Sequence, residues 1–145
     1  MGFDHEKLDV YRIALQFSAW VGDRLDGSLK NSRTSATKHL DEASVSVSNN
    51  IAEGNGKRSL ADRRRFFEIA RGSALECAAC LDTLVARKKL EADEAAEGKR
   101  LLERIVSMLW RLLEPRDFGT SRANPSSTST STSTSTSTKV GSRDR

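Results

Sequence analysis

Six cations crowd one stretch of this chain: Lys57, Arg58, Arg63, Arg64, Arg65 and Arg71. At this density they can hold phosphates, arginine through paired hydrogen bonds and lysine as a point charge. Three consecutive arginines point in different directions around a helix and cannot all meet one phosphate row. Arg64 and Arg71, seven apart, share a face, and Lys57 and Arg58 can extend it from a preceding turn. Lys57, Arg58, Arg64 and Arg71 are therefore the candidate nucleic-acid-binding residues. The competing reading is a solvated face whose charges pair between subunits or within the helix, as Arg64 with Glu68 at i,i+4. Cations near a helix N-terminus oppose its dipole, which favours their retention for a partner.

Other chemistries find less support. Cys77 and Cys80 have C-x-x-C spacing, but they lie in an Ala-rich helical stretch with no second pair or nearby His to complete a zinc site. They read as small core thiols. Glu53 and Glu76 are inward-capable carboxylates, yet a bundle di-metal site needs Glu-x-x-His, and neither His5 nor His39 follows a Glu by three. Ser73 follows Gly72 without a nucleophile-elbow pattern. Gly54-Asn55-Gly56-Lys57 lacks the first Gly and the Ser/Thr of a phosphate loop. The expectation is a non-enzyme with no catalytic residue, metal or cofactor. Arg87-Lys88-Lys89 suits a helix C-terminus electrostatically. Arg100, Arg104 and Arg111 have Glu97, Glu103 and Glu114 within pairing reach.

The elements that must position these groups are helical. Val10, Ile13, Ala14, Phe17, Val21 and Leu25 predict helix 1 over about 6–25, with Asp4 as its N-cap. Helix 2, about 36–53, is ambiguous at Ser44-Val45-Ser46-Val47-Ser48, which alternates like a strand. Ala36, Leu40, Ala43, Val47 and Ile51 keep a helical period, and Gly54 stands where a C-terminus wants a left-handed residue. Ser59 opens helix 3, with Phe66, Ala70, Ser73, Cys77, Leu81 and Leu84 marking its buried face to about Arg87. Helix 4 runs about 93–114 on Leu101, Ile105, Leu109 and Leu112, and Pro115 stops it. Four rods of similar length on short loops pack most simply as an all-α, up-down-up-down four-helix bundle. Gly72-Ser73-Ala74 permits close helix approach, while Asn49, Asn50 and Glu76 supply polar links between helices and Glu53 marks the end of helix 2. Trp20 and Trp110 have three readings open to them, core, interface or stacking platform, with interface preferred. Apolar residues off the core stripes of helices 1 and 4 predict self-association.

The 145 residues divide into a bundle domain, 1–116, and a tail, 117–145, whose segment Ser126 to Thr138 is only Ser and Thr. That tail cannot bury enough apolar surface to offset ordering and reads as disordered. Net charge is +4, but 20 basic and 18 acidic residues in 1–116 leave the domain at +2. A weak overall charge makes clustering, not total, the argument for an anionic partner. No apolar run of membrane-spanning length and no signal-peptide pattern appear, so a reduced, cytoplasmic protein is expected.

Two words, Asn50-Ile51-Ala52-Glu53-Gly54 and Gly72-Ser73-Ala74-Leu75-Glu76, resemble one bacterial family, as does Leu8-Asp9-Val10-Tyr11-Arg12-Ile13-Ala14. This is the four-helix-bundle family encoded by intervening sequences in 23S ribosomal RNA genes, and the resemblance spans about residues 3–114. It implies a four-helix fold and a ring-like homopentamer. A more distant branch, the accessory proteins of diversity-generating retroelements, implies association with nucleic acid or a nucleic-acid-handling protein. Asp41 and Glu42 stand where relatives commonly carry a basic pair, and Ser48 where a Pro is frequent. The acidic pair reverses the sign of the helix 2 face and counts against any nucleic-acid role resting on helix 2.

Overall fold

The computed structural model describes residues 2–114; the 117–145 tail, and the reading of it as disordered, lie outside them. After a short 3-10 turn, Asp4–Lys7, four helices follow: α1 Asp9–Asp26, α2 Ser35–Gly56, α3 Leu60–Ala86 and α4 Ala92–Leu113. Consecutive helices are neighbours and α4 closes back on α1, while the diagonal pairs α1–α3 and α2–α4 stay apart. This is an up-down-up-down bundle. Its core is filled by Phe17, Leu40, Val47, Ile51, Leu81, Leu84, Ile105 and Leu109, with Leu29 and Leu90 folding in from the first and third connections. Full burial of each such side chain contributes about 1.5–3 kcal/mol.

Local chemistry explains the ends. Asp4 is not the cap of α1: it begins the 3-10 turn, and extended Leu8 precedes α1 without a side-chain cap. The Asp4 carboxylate accepts instead from Asn55 Nδ2 at 3.0 Å, fastening the chain start to the end of α2. Thr34 and Thr37 cap α2 reciprocally, each backbone N–H donating to the other's hydroxyl. Ser59 caps α3, accepting from the Asp62 N–H at 3.1 Å. At the far end of α3, Lys88 takes the left-handed conformation (φ 58°), and the Lys88 and Lys89 N–H groups bond back to Val85 and Leu84.

The serine run of α2 is helical for a specific reason. Ser44 and Ser48 are buried and donate to the carbonyls of Asp41 (2.7 Å) and Val45 (3.1 Å), so neither hydroxyl is left unsatisfied. Ser46 turns the other way and meets Ser73 of α3 at 2.8 Å.

Two glycines set helix spacing, and only one of them was read from the sequence, in a different role. Gly54 does not end α2 in a left-handed turn; the helix continues to Gly56, with Lys57 as its cap. A Cβ at Gly54 would stand 2.9 Å from the Phe67 ring, so its place is the close crossing of α2 and α3. Gly98 of α4 lies against Trp20, where a Cβ would meet the indole at 2.6 Å. Trp20 is consequently a core residue, not an interface one. Gly72, by contrast, is exposed with open space around it and permits no helix approach within this chain.

The inward face of α3 is the predicted one at Ala70, Ser73, Cys77, Leu81 and Leu84 and departs from it at its first member. Phe67, not Phe66, is buried, together with Ala70, Ala74, Cys77, Leu81 and Leu84. Of the two thiols only Cys77 belongs to the core; Cys80 is half-buried at the α2–α3 edge. Burial, then the neighbouring Cys80 and Glu76, pushes the Cys77 thiol from 9.0 up to about 12. Burial and Glu76 raise Cys80 as well.

Replacing Gly98 with Ala should destabilise the bundle by about 1–3 kcal/mol, because overpacking against Trp20 outweighs alanine's helix propensity. Gly72→Ala should instead stabilise it by about 0.5–1 kcal/mol; urea melts of both variants measure the contrast. Because the folded state keeps Cys77 protonated, the unfolded chain releases that proton first as pH rises. Stability from this thiol is complete below pH 9.0 and declines toward about 12. Thermal midpoints across that window should fall less steeply for Cys77→Ala than for the parent.

Candidate nucleic-acid interface

The turn between α2 and α3 gathers the cations because three contacts fix it. Asn55 is held by Asp4, its carbonyl accepts from Arg63 Nη1 at 3.1 Å, and Lys57 stands extended as the α2 cap. Half-buried Phe66 then receives two cations, Lys57 Nζ and the Arg65 guanidinium, each 4.9 Å from the ring centroid. Arg63 lies over the buried Phe67 at 5.8 Å. Arg58 is exposed at the tip. Among the described residues, none of Lys57, Arg58, Arg63, Arg64 or Arg65 has a carboxylate within 4.0 Å. Five cations within nine residues without an ion pair make a concentrated positive corner.

Arg71 belongs to a different surface. Its guanidinium lies 5.1 Å from the ring centroid of Trp110 on α4, and Nη1 pairs with Glu68 at 3.7 Å. Glu68 therefore serves Arg71, one turn further along, and the Arg64–Glu68 pair read from the sequence does not form. The Arg71 Nε is buried without a hydrogen-bond partner. Arg64 and Arg71 share a face of α3, as the spacing predicts. At about 100° per residue, however, Phe66 and Arg71 point roughly 140° apart. Lys57, seated on Phe66, accordingly does not extend the Arg64–Arg71 row; the four candidates divide between a corner and an α3–α4 flank.

Of the remaining motif residues, Gly54, Ser73 and Glu76 meet the facing helix, while Asn50 bonds within α2. Asn50 Nδ2 donates to the Ser46 carbonyl (2.8 Å) and hydroxyl (3.0 Å), steadying the Ser46–Ser73 link. Glu76 reaches His39 of α2, Oε1 to Nδ1 at 3.5 Å, as the interhelical role expected of it. Asn49 and Glu53 are exposed and form no side-chain link to α3. Asp41 and Glu42 are exposed too, with Glu42 4.0 Å from Lys38. On α4 the expected pairs of Arg100, Arg104 and Arg111 with glutamates are not formed; Lys99 bonds Asp82 of α3 instead. At the opposite end Arg24 and Ser28 both donate to Glu94, at 3.3 and 2.8 Å.

Sequence reasoning missed Phe66 and Trp110 as seats for cations, and Asn55 as the clasp of the turn. Choosing Phe67 over Phe66 at the head of the α3 face would have put Phe66 outside, beside Arg65. No short-range signal pairs Arg71 with Trp110. No group of three or more metal-ligating side chains occurs among the described residues, and none of their helices is long and apolar enough to cross a membrane.

No curated protein matches this chain. The crystal structure of a protein of unknown function from the S23 ribosomal protein family of Bacteroides thetaiotaomicron superposes with a TM-score of 0.68. It is 19% identical, and the match covers 73% of this chain and 99% of that one, a likeness of fold. Residues 6–111 match the model of the 23S rRNA-intervening sequence proteins, and the chain belongs to that family.

Proposed function

We propose that this protein is a non-enzymatic helical scaffold that contacts RNA or DNA through its basic corner and the adjoining α3 flank. The observation that carries this reading is the set Lys57, Arg58, Arg63, Arg64 and Arg65, free of carboxylate partners among the described residues. A solvated face with balanced charge leaves no such excess. Phosphates supply the missing counter-charge and displace condensed counterions, so affinity derives largely from ion release. Arg58 and Arg64 are the principal phosphate ligands, with Lys57 and Arg65 held ready on the Phe66 ring. Two free thiols suit action in the reducing cytoplasm.

We further propose that copies self-associate, five by family resemblance. Exposed Val45, Ile69 and Leu75 support this. The alternative is a protein–protein adaptor without direct nucleic-acid binding, whose basic residues complete subunit contacts, so that their substitution alters the oligomer mass.

Binding to RNA and DNA should weaken steeply with salt, and Arg58→Ala/Arg64→Ala should flatten the slope of log K against log salt by about 1.5. A slope unchanged by the double substitution, or no binding at low salt, overturns the nucleic-acid reading. Light scattering should give a multiple of 16.0 kDa for the parent and a smaller mass for Ile69→Glu. A parent that is monomeric at high concentration overturns self-association.

A further inference from the structure

We propose that a cleft between α3 and α4 at Trp110 seats one unpaired base of a single-stranded nucleic acid, an assignment that rests on the nucleic-acid reading above. The cleft measures about 560 Å³ and is lined by Arg71, Val106, Ser107, Trp110, Arg111 and Glu114. That volume falls in the range of small-molecule sites and accommodates a nucleotide. Trp110 is 53% exposed, a large indole left open on a bundle that buries its other tryptophan. Arg71 fixes it from one side: the guanidinium over the ring is itself held by Glu68, so the indole is presented rather than free to collapse onto α4.

The chemistry of the lining matches a base better than a plain apolar segment. An exposed indole is a stacking platform, sequence-tolerant because every base has a π face. The Glu114 carboxylate accepts from exocyclic amino groups, and the Ser107 hydroxyl both donates and accepts at a base edge. Arg71 and Arg111 supply donors for the flanking phosphates. Glu68 and Glu114 offset those two charges, so the cleft itself is close to neutral. Backbone attraction comes instead from Arg64, about 10 Å along α3 toward the basic corner. A duplex, with its bases stacked inside, cannot place one on Trp110; a single strand or an extruded nucleotide can.

The test compares a fluorescein-labelled single-stranded 12-mer, as RNA and as DNA, with the corresponding duplexes by anisotropy on the full-length protein. The single strands are expected to bind at least tenfold tighter and to quench the exposed-indole emission. Trp110→Ala should weaken single-strand binding by roughly five- to a hundredfold, while leaving duplex affinity and the salt slope unchanged. Trp110→Phe should recover part of the loss. Duplex binding equal to or tighter than single-strand binding, or single-strand affinity indifferent to Trp110→Ala, overturns the stacking site and leaves the basic-surface reading intact. Absence of binding to every oligonucleotide overturns both. A preference between the RNA and DNA arms identifies which strand supplies the base.

Discussion

The crossing of α2 and α3 governs the rest of this molecule. At Gly54 the Phe67 ring lies where any side chain would stand, and about two turns away Ser46 and Ser73 share a hydrogen bond. These contacts fix how far apart the two helices run and where the turn between them emerges. Because Phe67 is pinned inward, Phe66 must face outward. Because Phe66 faces outward at the turn, Lys57 and Arg65 gather on it. The positive corner is thus a consequence of core packing, not an independent surface decoration.

The α3–α4 side follows a looser logic. Beyond their share of the common core, the helices are joined there by Lys99–Asp82 and by Arg71 on Trp110, contacts at or near the surface. Fixed geometry at α2–α3 and adaptable polar contacts at α3–α4 divide the work of the longest helix. One edge holds the bundle in register, while the other presents side chains. A scaffold that must keep its shape while accepting a flexible partner benefits from that division.

Much of this was legible in the residues, and the failures are instructive. Helical periodicity located all four helices because core burial repeats over many turns, and Ser59 located the start of α3 correctly. The role of Gly54 was misread because a glycine near a helix end serves equally well as a left-handed cap or as a close-packing site; only the partner helix distinguishes them. Phe66 and Phe67 are adjacent, and a one-residue choice decides which is core. Trp20 and Trp110 were grouped together although Gly98 lets the first be buried, while among the described residues nothing comparable covers the second. Ion pairs fared worst: Glu68 had Arg64 and Arg71 at equally suitable spacing, and the cation anchored on Trp110 was the one that took it.

The clasp running from Asp4 to Asn55 to Arg63 joins residues far apart in the chain. The opening turn, exposed and lacking any buried residue, is among the first parts of such a fold to fray. When it lifts, the amide that fastens the far end of α2 loses its anchor, and the loop bearing Lys57 and Arg58 gains freedom without any change in the oily interior. Disorder at the first few residues is therefore transmitted to the charged tip, which makes the leading segment a tuner of how rigidly that tip is offered.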